Sequence, residues 1–193
     1  MRKMLTQAGL ALGGITLIAG TGLVMAPAAQ AEGASAAQTK GVQAQFEGRT
    51  IDLSKDWGAA KACMVWKAAG GVQCFRTAKE QEQTAAKLAQ RQTPSVAAAS
   101  CSTPLRLYEH GQFAGRELSF YDRGYWQNLT DARYNFNDQT SSYRVGSCNA
   151  HLAEHTNGSG YWYPGNTNAW HSEGTMSSGA SGWNDRISSI YNT

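Results

Sequence analysis

Three patterning regimes follow one another along the 193-residue chain. Arg2 and Lys3 precede a charge-free run from Met4 to Ala31, apolar at its centre through Leu10-Ala11-Leu12-Gly13-Gly14-Ile15-Thr16-Leu17-Ile18-Ala19. Ala29-Gln30-Ala31 then gives a small-x-small exit before Glu32. This sequence of features predicts a secretory signal peptide over residues 1–31. The run is long enough to span a membrane, but its Gly, Thr and Gln content and its Ala-rich exit favour cleavage over anchoring. Residues 32–45, rich in Ala, Gly, Gln and Ser, show no apolar period and are expected to be a disordered mature N-terminus.

Regular patterning begins at Gly48-Arg49-Thr50-Ile51-Asp52-Leu53, which reads as a strand. Val65-Trp66-Lys67-Ala68-Ala69-Gly70-Gly71-Val72 reads as a hairpin with a Gly-Gly turn. Thr77 and Glu80 have capping-box spacing, and the Ala, Glu, Gln, Lys and Leu of residues 78–91 predict a helix. Its apolar positions are few (Ala85, Leu88 and Ala89), so it is expected to dock weakly, or only on its own hairpin. Thr93-Pro94-Ser95 ends it. These elements predict a small α+β module over 46–92 and a linker over 93–100. Past Cys101 all eight Tyr, all four His and four of the six Trp appear, in short β-prone runs between Gly, Asn, Asp and Ser turns. Residues 101–193 are therefore expected to be all-β.

That region repeats itself. Leu107-Tyr108-Glu109-His110, with Gly115, recurs 45 residues later as Leu152-Ala153-Glu154-His155, with Gly160. Phe136-Asn137-Asp138-Gln139-Thr140-Ser141-Ser142 recurs 47 residues later as Trp183-Asn184-Asp185-Arg186-Ile187-Ser188-Ser189. Each unit is too small to bury a core alone and too long for one hairpin, which predicts two four-stranded Greek keys packed together.

Tyr108-Glu109-x-x-x-Phe113-x-Gly115 resembles the first-hairpin signature of the βγ-crystallins. Asn137-Asp138-x-x-Ser141-Ser142 and Asn184-Asp185-x-x-Ser188-Ser189 resemble that family's calcium motif. The second key departs from the pattern, with Ala153 in place of the aromatic and Gly158 in place of Phe113, so its first hairpin is expected to be shorter or less regular. The resemblance implies a mainly β fold: a two-Greek-key βγ-crystallin-like sandwich preceded by the small α+β module. It also implies calcium ligands shared between the loops. Asn137, Asp138, Asn184 and Asp185 supply side chains, Ser141 and Ser188 hydroxyls, and backbone carbonyls near Gln139 and Arg186 contribute. Ser142 and Ser189 would serve the fold. Carboxylate, hydroxyl and carbonyl oxygens are the hard donors calcium prefers, and one full carboxylate per site implies modest affinity suited to extracellular calcium. Turn formation by Asn-Asp and Ser-Ser is the competing explanation of both motifs.

Charge adds little beyond this. Two of the three formal positive charges belong to Arg2 and Lys3, and the rest divides into a basic 32–100 and an acidic 101–193. Neither part has the basic density of a nucleic-acid binder or of a membrane-surface protein. Export does bear on Cys63, Cys74, Cys101 and Cys148. Four cysteines allow three connectivities, and the hairpin favours Cys63–Cys74 with Cys101–Cys148, worth roughly 3 and 4 kcal/mol in the chain-entropy model. Their spacing fits no common zinc pattern.

His151-Leu152-Ala153-Glu154-His155 has the H-x-x-E-H order of one zinc-peptidase class, which requires a helix. Here it copies a strand, so no catalytic residue is assigned and no enzymatic activity is expected. Tyr125-Trp126, Tyr161-Trp162-Tyr163, Trp170 and Trp183 are expected mainly in the core, with a surface subset able to stack on sugar rings. The reading is thus a secreted, non-enzymatic, monomeric calcium-binding module. Through the resemblance, a metalloproteinase inhibitor and a killer-toxin-like or cell-wall-binding protein are the alternatives, with an extracellular protease or a cell-wall glycan as partner.

Overall fold

The structure, a computed structural model, describes residues 41–176 and 182–193. The segment expected to be a signal peptide and most of the segment expected to be disordered lie outside the described residues. The first strand, β1 (Gln43–Phe46), nevertheless begins inside residues 32–45. Ala44 and Phe46 alternate inward while Gln43 and Gln45 face out, a two-residue period hidden in a polar composition. Glu47-Gly48 turn the chain at positive φ of 49° and 76°, and β2 (Arg49–Asp52) returns antiparallel to β1.

Strands β3 (Ala62–Trp66) and β4 (Gly71–Phe75) form the expected hairpin. Cys63 and Cys74 stand opposite one another in its register and are joined, their Cα atoms 4.0 Å apart. A second disulfide joins Cys101 to Cys148. Helix α1 (Ala78–Ala89) starts at Thr77, whose hydroxyl accepts the Glu80 amide at 3.2 Å. The segment expected to be a linker instead carries a short helix, α2 (Pro94–Ala98), with proline at its first position where no amide donor is needed.

The repeated region builds two sheets by exchange. The first key comprises β5 (Ser100–His110), β6 (Ala114–Asp122), β7 (Trp126–Asn128) and β8 (Ser142–Arg144). The second comprises β9 (Ala150–Ala153), a single bridge between Ala153 and Trp162, β10 (Ser172–Glu173) and β11 (Ser189–Asn192). Each key places its third strand in the other's sheet: β7 joins β11 and β9, while β10 joins β8 and β5. The second key's first hairpin is the irregular one, reduced to that bridge. Backbone conformation follows the duplication. Positive φ occurs at Gln112 and Asn157, Phe113 and Gly158, Asn135 and Gly182, and Asp138 and Asp185.

The 46–92 segment continues the first sheet. Strand β3 pairs in parallel with β6, giving the order β10-β8-β5-β6-β3-β4-β1-β2. One buried cluster correspondingly runs from Phe46, Leu53, Trp57 and Val65 to Leu107, Phe120, Phe136, Leu152 and Ile190. All five residues of β3 are buried because α1 covers its other face, over Met64, Trp66, Ala85 and Tyr121.

The docking of α1 is stronger than its apolar content predicts, because Gln81 is fully buried. Its amide donates to Ser119 Oγ at 2.8 Å and to Glu117 Oε1 at 3.2 Å, and Ser119 donates to the same carboxylate at 2.6 Å. Arg106 lies 3.5 Å from that oxygen. Removing the amide takes one donor each from a buried carboxylate and a buried hydroxyl and leaves a void between them. Gln81→Ala is therefore expected to destabilise the fold by about 1–3 kcal/mol, read as a lower urea midpoint. An unchanged midpoint would show that Ala85 and Leu88 suffice to hold the helix.

Candidate functional site

The two motifs meet where the keys pack. Asp138 and Asp185 both adopt left-handed φ, 51° and 54°, which short polar side chains tolerate, and both carboxylates are exposed. Their amides reach across the pseudo-symmetric interface, Asp138 N to Ile187 O and Asp185 N to Thr140 O, each at 3.1 Å. The hydroxyls cross as well. Ser141 Oγ lies 2.9 Å from Asp185 Oδ1, and Ser188 Oγ donates to Asp138 Oδ1 at 3.1 Å. Each carboxylate is thus served by the serine of the opposite repeat. Its second oxygen accepts from the asparagine before it, Asn137 Nδ2 at 2.8 Å and Asn184 Nδ2 at 2.7 Å.

Ser141 Oγ also lies 2.9 Å from the Glu109 carbonyl oxygen. One hydroxyl hydrogen cannot serve both acceptors fully, so carboxylate, carbonyl and hydroxyl oxygens gather around a single proton. This is a hard-oxygen donor set suited to a hard cation. Among the described residues no group of three or more His, Cys, Asp or Glu could hold a metal, so an ion here would depend on the hydroxyl and carbonyl oxygens. Glu109 is the participant that motif reasoning missed. The recurrence of Tyr108-Glu109 as Ala153-Glu154 was the available signal.

The Gln139 and Arg186 side chains are engaged by Arg116 and Glu154. Arg116 donates to Gln139 Oε1 and forks onto Glu109, with Nη2 to Oε1 at 3.0 Å and Nε to Oε2 at 3.1 Å. Arg186 meets Glu154 through one oxygen, with Nη2 at 2.6 Å and Nε at 3.0 Å from Oε1. The two repeats deliver the same ion pair from different positions. In the first the guanidinium comes from the hairpin strand and the loop holds Gln139. In the second the loop supplies Arg186, while Tyr161 stands at the strand position and only its backbone amide meets Glu154, at 3.3 Å. The positive charge of Arg186 is therefore matched by Glu154. Arg116 lies beside the stacked pair of Trp57 and Phe136, 4.9 and 5.5 Å from their ring centroids, so the N-terminal segment also braces the first loop.

Ser142 and Ser189 tie each motif to its hairpin tip. Ser142 Oγ donates to His110 O at 2.6 Å and accepts from Phe113 N at 3.1 Å. Ser189 Oγ donates to His155 O at 2.5 Å and accepts from Gly158 N at 3.0 Å. The cleft above the paired loops is lined by Asp131, Asp138, Glu154, His155, Asp185 and Arg186, among others. His151 lies on β9 and His155 just beyond it at the start of a 3-10 turn, so the H-x-x-E-H segment is not helical.

Hydrogen bonds from Arg116 hold the Glu109 carboxyl below its ordinary pKa, and those from Arg186 do the same for Glu154. A depressed carboxyl pKa contributes stability at pH values above the unfolded-state pKa, about 4.3, and loses it as pH falls through the folded-state value. Glu109→Gln should therefore melt below the parent protein near neutral pH. Thermal scans from about pH 7 to pH 3 are expected to show the two melting temperatures converging at the acid end. A gap that persists at low pH would assign the loss to packing.

No protein-family model and no curated protein matches the sequence. Among solved structures the chain is similar to a βγ-crystallin of Ciona intestinalis, at 22% identity over 47% of this chain and 99% of that one, with a TM-score of 0.37. It is also similar to an archaeal βγ-crystallin, at 24% identity over 47% and 98% of the two chains, TM-score 0.37. A third similar structure, a βγ-crystallin domain from Flavobacterium johnsoniae, shares 21% identity over 46% and 92%, TM-score 0.33. The chain is mainly β, and its likeness to βγ-crystallin domains extends over just under half its length.

Proposed function

We propose that this chain is an exported, non-enzymatic binding module that holds calcium at its paired Asn-Asp and Ser-Ser loops. The reciprocal pairing of each aspartate with the other repeat's serine carries this reading, because it gathers hard oxygens at a surface where the carboxylates remain open to solvent. Asp185, Ser141 and the Glu109 carbonyl would hold one ion, and Asp138 and Ser188 the other. The carbonyls of Gln139 and Arg186 complete the proposed ligand set. When bound, the ion supplies a cross-link between the keys and no chemistry of its own. With one carboxylate per site the affinity belongs in the range of extracellular modules, about 10⁻⁴–10⁻³ M.

Export is supported by the basic, apolar and small-residue succession of residues 1–31 and by the two disulfides, which persist in oxidising compartments. Among the described residues no helix is long and apolar enough to cross a membrane. The non-enzymatic reading is supported by the fate of the one peptidase-like motif, whose Glu154 is committed to Arg186.

Calcium at a hundredfold excess over its dissociation constant stabilises the fold by about 2.7 kcal/mol per site, or roughly 5–10 °C in melting temperature for one site. Asp138→Ala combined with Asp185→Ala is expected to abolish that rise. Both aspartates sit at left-handed φ, so alanine also lowers the calcium-free melting temperature. The quantity to compare is each protein's own calcium-induced shift, followed by scanning calorimetry. An equal shift in parent and double variant would refute the site.

A further inference from the structure

The outward face of the three-stranded sheet carries a row of rings that neither the core nor the paired loops use. Trp126 on β7, Tyr191 on β11 and His151 on β9 are direct cross-strand neighbours in the register. Trp162 lies over them, its ring centroid 5.5 Å from that of Trp126 and 4.8 Å from that of His151. Tyr191 closes the group at 5.5 Å from Trp126 and 6.1 Å from His151.

The rings are held in place. Trp162 Nε1 donates to Gly158 O at 2.8 Å, and a Cβ on Gly158 would fall 2.2 Å from Trp126. Asn128 and Asn157 lock together beside them, Asn128 Nδ2 donating to Asn157 Oδ1 at 2.9 Å and Asn157 N to Asn128 Oδ1 at 2.7 Å. Even so, Trp162 remains 50% exposed. Tyr161 and Trp170, 74% and 68% exposed, are the other large exposed apolar residues among those described, and all three belong to residues 161–170. Trp170 is held at φ 69°, a strained value for a bulky side chain.

The chemistry of the face selects its occupant. Residues 155–172 and 187–193 contain no Asp, Glu, Lys or Arg, and residues 155–172 contain no Leu, Ile, Val or Met. The apolar surface here is therefore ring surface, bordered by neutral amides and hydroxyls. Charged groups enter only at the β7 end of the described face, where Lys67, Asp122 and Arg133 line a pocket with Trp126 and Asn128. A pyranose offers a flat C–H face to an aromatic ring and a rim of hydroxyls to amides. Rings fixed before contact reduce the entropy lost on binding. We propose that this face binds an uncharged polysaccharide, with Trp162, seated over the half-buried Trp126, Tyr191 and His151, as the stacking surface and Asn128 and Asn157 at its rim. The site is separate from the paired loops and does not depend on calcium.

The test incubates purified protein with microcrystalline cellulose and with chitin, and titrates soluble cellohexaose and chitohexaose. Retention on at least one solid is expected, undiminished by chelator or by about 1 M salt, which would erase a charge-driven contact. Trp162→Ala should weaken retention by at least about tenfold, the equivalent of one lost stacking contact. Trp162→Phe should preserve it. The indole N–H resonances of Trp126 and Trp162 should shift with the oligosaccharide that binds, which keeps the test valid if the alanine variant folds poorly. The proposal is overturned by absence of retention on both solids, by retention that survives Trp162→Ala, or by loss in high salt. Concentration-dependent self-association abolished by Trp162→Ala would assign the face to a second copy of the chain, and capture of a protein partner without any oligosaccharide shift would assign it to protein recognition.

Discussion

Each aspartate of the paired loops depends on a hydroxyl that the other repeat supplies. Ser141 approaches Asp185 and Ser188 approaches Asp138, while the aspartate amides cross in the same directions. The exchange of β7 and β10 between sheets imposes the same dependence on the backbone. Neither key closes its own sheet, buries its own core or orients its own carboxylate alone. Site geometry and inter-key packing are therefore one set of contacts, and whatever strengthens one strengthens the other.

The N-terminal segment enters this arrangement through Trp57. Its indole donates to Tyr134 O at 2.7 Å, and its ring stacks 5.8 Å from Phe136, the residue that begins the first motif. Arg116 lies against that ring pair and bonds to Glu109 and Gln139, so the first loop is stiffened from outside its own key. The second loop draws on its own repeat instead. It holds its guanidinium in the loop itself, over Trp183 at 5.0 Å, and pairs it with Glu154. The repeats keep the electrostatics of the site while changing which residue provides the charge.

Much of this was legible in the sequence because it rests on local signals. The duplicated Asn-Asp and Ser-Ser motifs, the Gly70-Gly71 turn and the Thr77 cap each act within a few residues of themselves. What escaped is non-local. Parallel pairing of β3 with β6 joins residues more than fifty positions apart, and no spacing rule announces it. Gln81 reads as a solvent-facing helix residue until Glu117 and Ser119 appear beneath it. Strand β1 was masked by composition, since Ala44 and Phe46 are too few for a period to stand out. At Gly158 the reason for glycine lies thirty-two residues upstream, in the ring of Trp126.

The parallel pairing of β3 also governs how the molecule meets its own copies. The nine-residue β6 would present a long row of unpaired amides and carbonyls, the kind of edge that recruits strands from other chains. Strand β3 occupies it, and the sheet ends instead at β2, four residues bearing Arg49 and Asp52, and at the two-residue β10. Short, charged margins are poor templates for intermolecular pairing. The N-terminal segment thus covers a long edge that the repeats by themselves would leave open.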